Sequence, residues 1–274
     1  MALIPDHADL APFEGLREKA LRRSDAGSYF VCEGRHLVEE ALRAAGLGQL
    51  RFVSLLCDSR CHEEWADRVP PGAKLLVLDS REMNSLLGFA FHRGVLCCCA
   101  VPDAPSEETL LEAKRLLALP QIDNADNLGQ LVRTAAALGV DAILLGGGPD
   151  PFSRRCVRVS MGAVWKIPIL KRDNVADTLD AWLCREPSVN SEIVGTAAVP
   201  GAEPFGEWKP ATRTVLVLGP EAFGLDAFWQ AKCAKHVRIP LTRQIDSLNV
   251  AAAGALLMER MMDGVAPLLN QSDT

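Results

Sequence analysis

Short apolar runs alternate with amphipathic stretches along most of the chain, and the alternation restarts once. Over residues 1–102, "YFVCEG" and "RFVSLLC" have the continuous apolar character of strands. Between them "RHLVEEALRAAG" repeats its apolar positions at helical spacing and ends at Gly46. "KLLVLD" and "RGVLCCCAV" predict two further strands in this block. "PDAPSEET" (102–109), rich in proline and acid, breaks the pattern and marks a linker over 103–112. From 113 to 274 the alternation is more regular. "RLLALPQI" reads as a strand, "LGQLVRTAAALG" as a helix closed by Gly139, "DAILLGG" as a strand and "CVRVSMGAVW" as a helix. "SEIVGTAA" and "TRTVLVLG" are strands, "DAFWQAKCAK" a helix, "HVRIPL" a strand and "SLNVAAAGALL" a helix. Apolar strands separated by helices predict an α/β fold whose parallel sheet is covered on both faces.

Composition adds bounds rather than detail. A chain of 274 residues, 49% hydrophobic and 23% charged, suits two folded domains. The net charge of −6 excludes a broadly basic surface for indiscriminate nucleic-acid binding. A local patch survives this bound: residues 154–172 hold six Lys or Arg and no acid. Nine cysteines are an odd number, and Cys97, Cys98 and Cys99 are consecutive on a predicted strand. Neighbouring strand residues point to opposite faces, so that triplet does not gather into one metal site. "CDSRC" (57–61) has no second pair to complete a zinc site. Small buried thiols in a reducing cytoplasm are the simpler expectation, with no metal. The start of the chain has no basic region followed by an apolar core, and no apolar run reaches bilayer length. Neither a signal peptide nor a membrane partner is expected.

In a parallel sheet, ligands sit beyond the C-terminal ends of the strands. That rule selects three loops. In "DNADNLGQLVRTA" (123–135), Asn127 and Gly129 lie at the mouth of a helix that carries Arg133 further in. A purely structural reading has Asp126 or Asn127 capping that helix. In "VLGPEAFGLD" (217–226), Gly219, Pro220 and Gly224 form a tight turn that holds Glu221, for which Arg133 is a candidate partner. The third loop offers Gln244, Ser247 and Asn249 before an apolar helix, either as caps or as a binding wall. No dinucleotide glycine fingerprint, Walker A loop, HExxH or Gly-x-Ser-x-Gly elbow is present. His92 and His236 read as ordinary fold residues.

Taken in order, these loops resemble the three motifs of the SpoU (TrmH-like) RNA ribose 2'-O-methyltransferases of the SPOUT superfamily. The first, Asn-x-Gly-x-x-x-Arg-Thr-Ala, stands here as "NLGQLVRTA". The second stands as "VLVLGPEAFGL", and the third, Ile-Pro followed by Ser-Leu-Asn-Val, as "RIPLTRQIDSLNVAAA". "RVSMGAVWKIPI" resembles the Ser-x-Gly-Ala segment of the family. "FVCEGRHLVEEAL" and "FHRGVLCCCAV" resemble its L30e-like substrate-binding domain.

The resemblance implies an L30e-like RNA-binding domain over 1–102 and a methyltransferase domain over 113–274 with a C-terminal trefoil knot. It implies S-adenosylmethionine as cofactor, bound by Thr196, Ala197, Gly219, Glu221, Ile239 and Leu248. Methyl transfer to a ribose 2'-hydroxyl of ribosomal or transfer RNA falls to Asn127, Arg133, Glu221, Ser247 and Asn249. Arg133 serves as the electrostatic or phosphate-positioning group, because a guanidinium stays protonated. A homodimer is implied, with the site near the subunit interface. Expected RNA contacts are Arg35, His36, Arg154, Arg155, Arg158 and Arg243. The chain departs from the family at Asn124 and Ala125, where an acid and a proline are usual, and at Arg243, where glycine is usual. Arginine at Arg243 is unfavourable if that turn needs a positive φ. The rival readings are a catalytically silent RNA-binding or assembly factor, and an α/β enzyme that uses another nucleotide cofactor.

Overall fold

The computed structural model describes residues 6–16, 22–24, 27–196, 199, 201–220, 223–243 and 247–265. It divides into two compact units: Met1–Asp103 with Asp150–Trp165, and Ala104–Pro149 with Lys166–Thr274. No helix among the described residues is long and apolar enough to cross a membrane.

The first unit runs α1 (His7–Leu10), β1 (Arg22–Ser24), β2 (Gly27–Glu33), α2 (Arg35–Gly46), β3 (Phe52–Asp58), α3 (His62–Ala66), β4 (Lys74–Leu78), α4 (Ser80–Leu87) and β5 (Val95–Ala100). Its sheet has the order β1-β2-β5-β3-β4 and is antiparallel except between β3 and β4. Local sequence fixes α4 at both ends. Asp79 accepts the amides of Arg81 and Glu82, Glu82 returns a bond to the Asp79 amide, and left-handed Gly88 stops the helix.

Residues 150–165 fall in this unit, not with the second half where the sequence pattern placed them. Aromatic packing explains the correction: the Phe30 ring lies 5.2 Å from Phe152 and 5.6 Å from Trp165. The single helix expected over "CVRVSMGAVW" is also divided. It ends at Val159, and the chain turns through Met161 (φ 54°) and Gly162 (φ 83°) into a short 3-10 turn at Ala163–Trp165. A Cβ at Gly162 would sit 2.3 Å from the Trp165 ring, so only glycine lets this tryptophan fold back.

The second unit opens with α5 (Glu107–Leu111), β6 (Arg115–Gln121), α6 (Ala125–Leu138) and β7 (Ala142–Gly147). After α7 (Arg154–Val159), which belongs to the first unit, come β8 (Ile169–Lys171), α8 (Val175–Arg185), β9 (Ser191–Thr196) and β10 (Glu203–Pro204). The chain continues through β11 (Arg213–Val217), α9 (Ala227–Lys232), β12 (Lys235–Arg238) and α10 (Val250–Met261). The sheet order is β10-β12-β9-β11-β6-β7-β8, and every pairing is parallel, as the apolar strands predict. Strand β11 arrives late in the sequence yet sits between β9 and β6. The expected linker over 103–112 is partly helical. Ser106 caps α5 through the Thr109 amide, and Leu110 is buried in the core beside Leu179 and Trp182.

The N-terminal edge of this sheet is closed by buried arginines. Arg213, 1% exposed, donates to the carbonyls of Trp182 (3.1 Å) and Leu111 (2.6 Å) and lies over the Trp182 ring. Arg115 donates to the carbonyls of Ala211 (2.9 Å) and Thr212 (2.8 Å). Burial pulls both guanidinium groups below their ordinary values.

Candidate active site

The opposite edge of the same sheet gathers the loops that the sequence singled out. Strands β12, β9, β11 and β6 are consecutive neighbours, so their C-terminal loops emerge side by side. Thr196 ends β9 and is half-buried; Ile239 follows β12 and is half-buried; Gly219 follows β11 and is buried. Asn127 stands in the first turn of α6, directly after β6. A Cβ at Gly219 would lie 2.4 Å from the Gly224 backbone, so the turn closes on itself only with glycine there. Ala197, Glu221 and Gln244 lie outside the described residues.

The first and third loops are joined by one hydrogen bond. Asn249 Nδ2 donates to Asn127 Oδ1 at 2.9 Å. Its Oδ1 faces the other way and accepts the amides of Ala251 (2.9 Å) and Ala252 (3.3 Å), capping α10. The helix amides fix which end of the carboxamide is oxygen, and the other end is then a donor. A Ser or Asp cap would satisfy the helix but has no second, oppositely directed N–H to donate to Asn127 Oδ1. At α6 the cap is neither Asp126 nor Asn127, the two structural readings. It is Asn124, whose side chain accepts the Asp126 amide at 2.8 Å. The departure from the family at Asn124 therefore supplies a cap, and Asn127, 6% exposed, takes part in the bridge. Close packing supports the same contact: a Cβ at Gly254 would meet Leu131 at 2.4 Å and Leu218 at 3.0 Å.

Arg133 is exposed on α6, and among the described residues it forms no ion pair. Six residues of helix carry its Cα about 9 Å along the axis from that of Asn127 and around to a different face of α6. Ser247 is exposed, and Leu248 keeps 39% of its surface in water. Arg243 is exposed with φ 59°, so the turn does require the left-handed conformation for which glycine is usual.

The expected RNA contacts of the first unit fare differently. Arg154 is not a free cation: Nε and Nη2 each lie 2.7 Å from Glu33 Oε2, and Nη1 donates to the Leu16 carbonyl at 2.9 Å. Glu33 is 6% exposed, and so buried a carboxylate needs that partner. Arg35 is exposed but paired through both Nη atoms with Glu64. His36 and Arg155 are exposed, and Arg158 is half-buried.

The consecutive cysteines also behave in part as expected. Cys98 turns away, but Cys97 and Cys99 share a face and meet Cys32 of β2, with the three sulfurs within 4.8 Å of one another. All three are fully buried, and burial raises the Cys97 and Cys99 thiols well above their ordinary range. Cys32 goes the other way: although burial opposes it, hydrogen bonds from Cys97 and Cys99 lower its thiol to about 5, so Cys97 and Cys99 are the protonated members of the cluster.

Comparison with known proteins follows the same edge of the sheet. Residues 114–259 match the model of the SpoU rRNA Methylase family. The chain is 29% identical to the 23S rRNA (guanosine(2553)-2'-O)-methyltransferase RlmP of Bacillus subtilis, over 84% of this chain and 86% of that protein. It is 33% identical to the uncharacterized tRNA/rRNA methyltransferase Rv0881 of Mycobacterium tuberculosis, over 85% and 81% of the two chains. Among solved structures it resembles an AdoMet-bound rRNA methyltransferase from Sinorhizobium meliloti, with a TM-score of 0.72 and 25% identity. That match covers 87% of this chain and 88% of the other.

Proposed function

Because the chain belongs to the SpoU rRNA methylase family, we propose that it transfers a methyl group from S-adenosylmethionine to a ribose 2'-hydroxyl of RNA. The observation that carries the reading is the Asn249–Asn127 bond, which ties the first and third motif loops into one rigid wall. The residues at this edge suit the cofactor. Exposed Leu248 and half-buried Ile239 offer apolar surface, and the Gly219 turn leaves backbone groups open to close approach.

When bound, S-adenosylmethionine supplies an activated sulfonium methyl, so the chemistry requires no metal and no covalent enzyme intermediate. The chain's part is positioning, which removes a large entropic cost. The asparagine bridge holds the wall, Ser247 and Glu221 would shape the pocket, and Thr196, Ala197 and Leu248 would hold the cofactor. Arg133 stabilises charge on the hydroxyl or holds the adjacent phosphate, as a permanently protonated guanidinium does.

A homodimer completes the site in this reading. Arg133 is exposed on α6, and α10 exposes Ala252 and Leu256 for a second copy to cover. The late insertion of β11 between β9 and β6 supports a C-terminal trefoil knot. The mixed β1-β2-β5-β3-β4 sheet supports an L30e-like RNA-binding unit. Arg158 and Arg243 are the cations for RNA phosphate in this reading, and nine free cysteines suit a reducing cytoplasm. Mapping ribose methylation across ribosomal and transfer RNA, with and without the gene, tests the proposal. One 2'-O-methyl nucleotide should vanish in the deletion; an unchanged map would refute it.

A further inference from the structure

Among the described residues, only two aromatic rings are strongly exposed, and both stand just after β11. Phe223 keeps 92% of its surface in water and Phe228 57%. The described residues on either side of Phe223 are anchored. Gly219 packs directly on the Gly224 backbone, the Gly224 amide donates to the Pro220 carbonyl at 2.9 Å, and Leu225, 4% exposed, anchors the far side. Beside these anchors the Phe223 ring faces outward, at the cost of leaving an apolar group in water. That edge is the one described above. β11 runs parallel to β6, with Val217 opposite Ala118, so the turn leaves the sheet beside the start of α6 and Asn127.

The charge around the ring narrows what it can meet. Between Gly219 and Phe228 the sequence "GPEAFGLDAF" holds two acids and no Lys or Arg. A phosphate would be repelled there, so an RNA contact has to come through the uncharged face of a base. A protein surface fits less well, because two rings separated by Gly224 and exposed Asp226 bury far too little area for a stable interface. Unpaired bases, in contrast, stack on single aromatic rings.

We propose that Phe223 is a substrate-positioning residue on which an unpaired base of the RNA stacks as its ribose enters the site. The inference rests on the RNA-methylation reading above and adds to it the way the nucleotide is held. A flat stacking contact accepts any base, so it sets affinity and placement and leaves sequence choice to other groups.

Phe223→Ala and Phe223→Trp test it, with a single-stranded oligoadenylate 12-mer and an abasic 12-mer of equal length as probes. Because the ring is in water, neither change disturbs the core. Phe223→Ala should weaken 12-mer binding, and raise KM for deproteinised ribosomal RNA, about 5- to 100-fold. Phe223→Trp should restore both. Affinity for S-adenosylmethionine, kcat at saturating RNA and abasic 12-mer binding should stay at wild-type values. Equal 12-mer affinity in Phe223→Ala and wild type would overturn the proposal, as would an equal loss with the abasic probe. A change of oligomeric state in Phe223→Ala would overturn it too, by placing the ring in a subunit contact. If the wild-type protein bound the 12-mer through Phe223 yet methylated no ribose, the stacking role would stand and the methyl-transfer reading would fall.

Discussion

The two edges of the second unit's sheet hold arginines in opposite states. At the N-terminal edge, Arg115 and Arg213 are buried and bonded to backbone carbonyls, and Arg213 also stacks on Trp182. They tie α5, α8 and β11 together, and their fields end in those bonds. Toward the other edge, Arg133 and Arg243 are exposed, and among the described residues neither has an ion pair. The wall between them is held by neutral groups, the Asn249–Asn127 bridge and the Gly254 packing. An arginine buried with its Nη groups bonded to backbone carbonyls is a brace. One exposed to water, with no ion pair among the described residues, remains available for phosphate or a developing oxyanion.

Replacing one arginine from each edge breaks the contrast most sharply. Arg133→Ala should lower methyl transfer by about 10²- to 10³-fold or more, with S-adenosylmethionine affinity and melting temperature unchanged, as calorimetry would record. Arg213→Ala should do the reverse. It removes two charge-assisted bonds and the stacked cation, costing about 3 kcal/mol of stability in denaturant melts, while the folded fraction keeps its cofactor affinity.

Smaller effects sharpen the same division. Asn249→Asp keeps an acceptor for the α10 amides but sets an anion against Asn127 Oδ1 in place of a donor. It should destabilise the unit by about 1 to 3 kcal/mol and depress turnover. Asn249→Ser keeps the cap and loses only the bridge, so its melting temperature should fall less while turnover still drops. The gentlest change is Arg243→Gly. Relief of the left-handed strain should raise stability by up to about 1 kcal/mol, while RNA binding loses part of its salt dependence if Arg243 meets phosphate.

The regular half of the fold was legible because its strands are continuous apolar runs and its helix ends carry local signals, such as left-handed Gly139 closing α6. The site was legible by loop order, since a parallel sheet projects its C-terminal loops to one edge. Features set by distant contacts were hidden. Residues 150–165 join the first unit through Phe152 and Trp165 against Phe30, a pairing no local period encodes. α5 looked like a linker because Leu110 finds its partners only in the folded core. Arg154 looked like an RNA contact because its partner, Glu33, is 121 residues away in sequence. The double use of Asn249 could be suspected from its place before a helix, but not its bond to Asn127. Cys32 likewise joins Cys97 and Cys99 only once β2 and β5 pair.

The central claim is that the methyl group lands on a ribose oxygen. Incubation of the protein with labelled S-adenosylmethionine and ribosomal RNA, followed by alkaline hydrolysis, tests it directly. A 2'-O-methyl group removes the nucleophile that cleaves the next phosphodiester, so the label should appear in an alkali-resistant dinucleotide. Label released in mononucleotides, or no label in the RNA at all, would contradict the account.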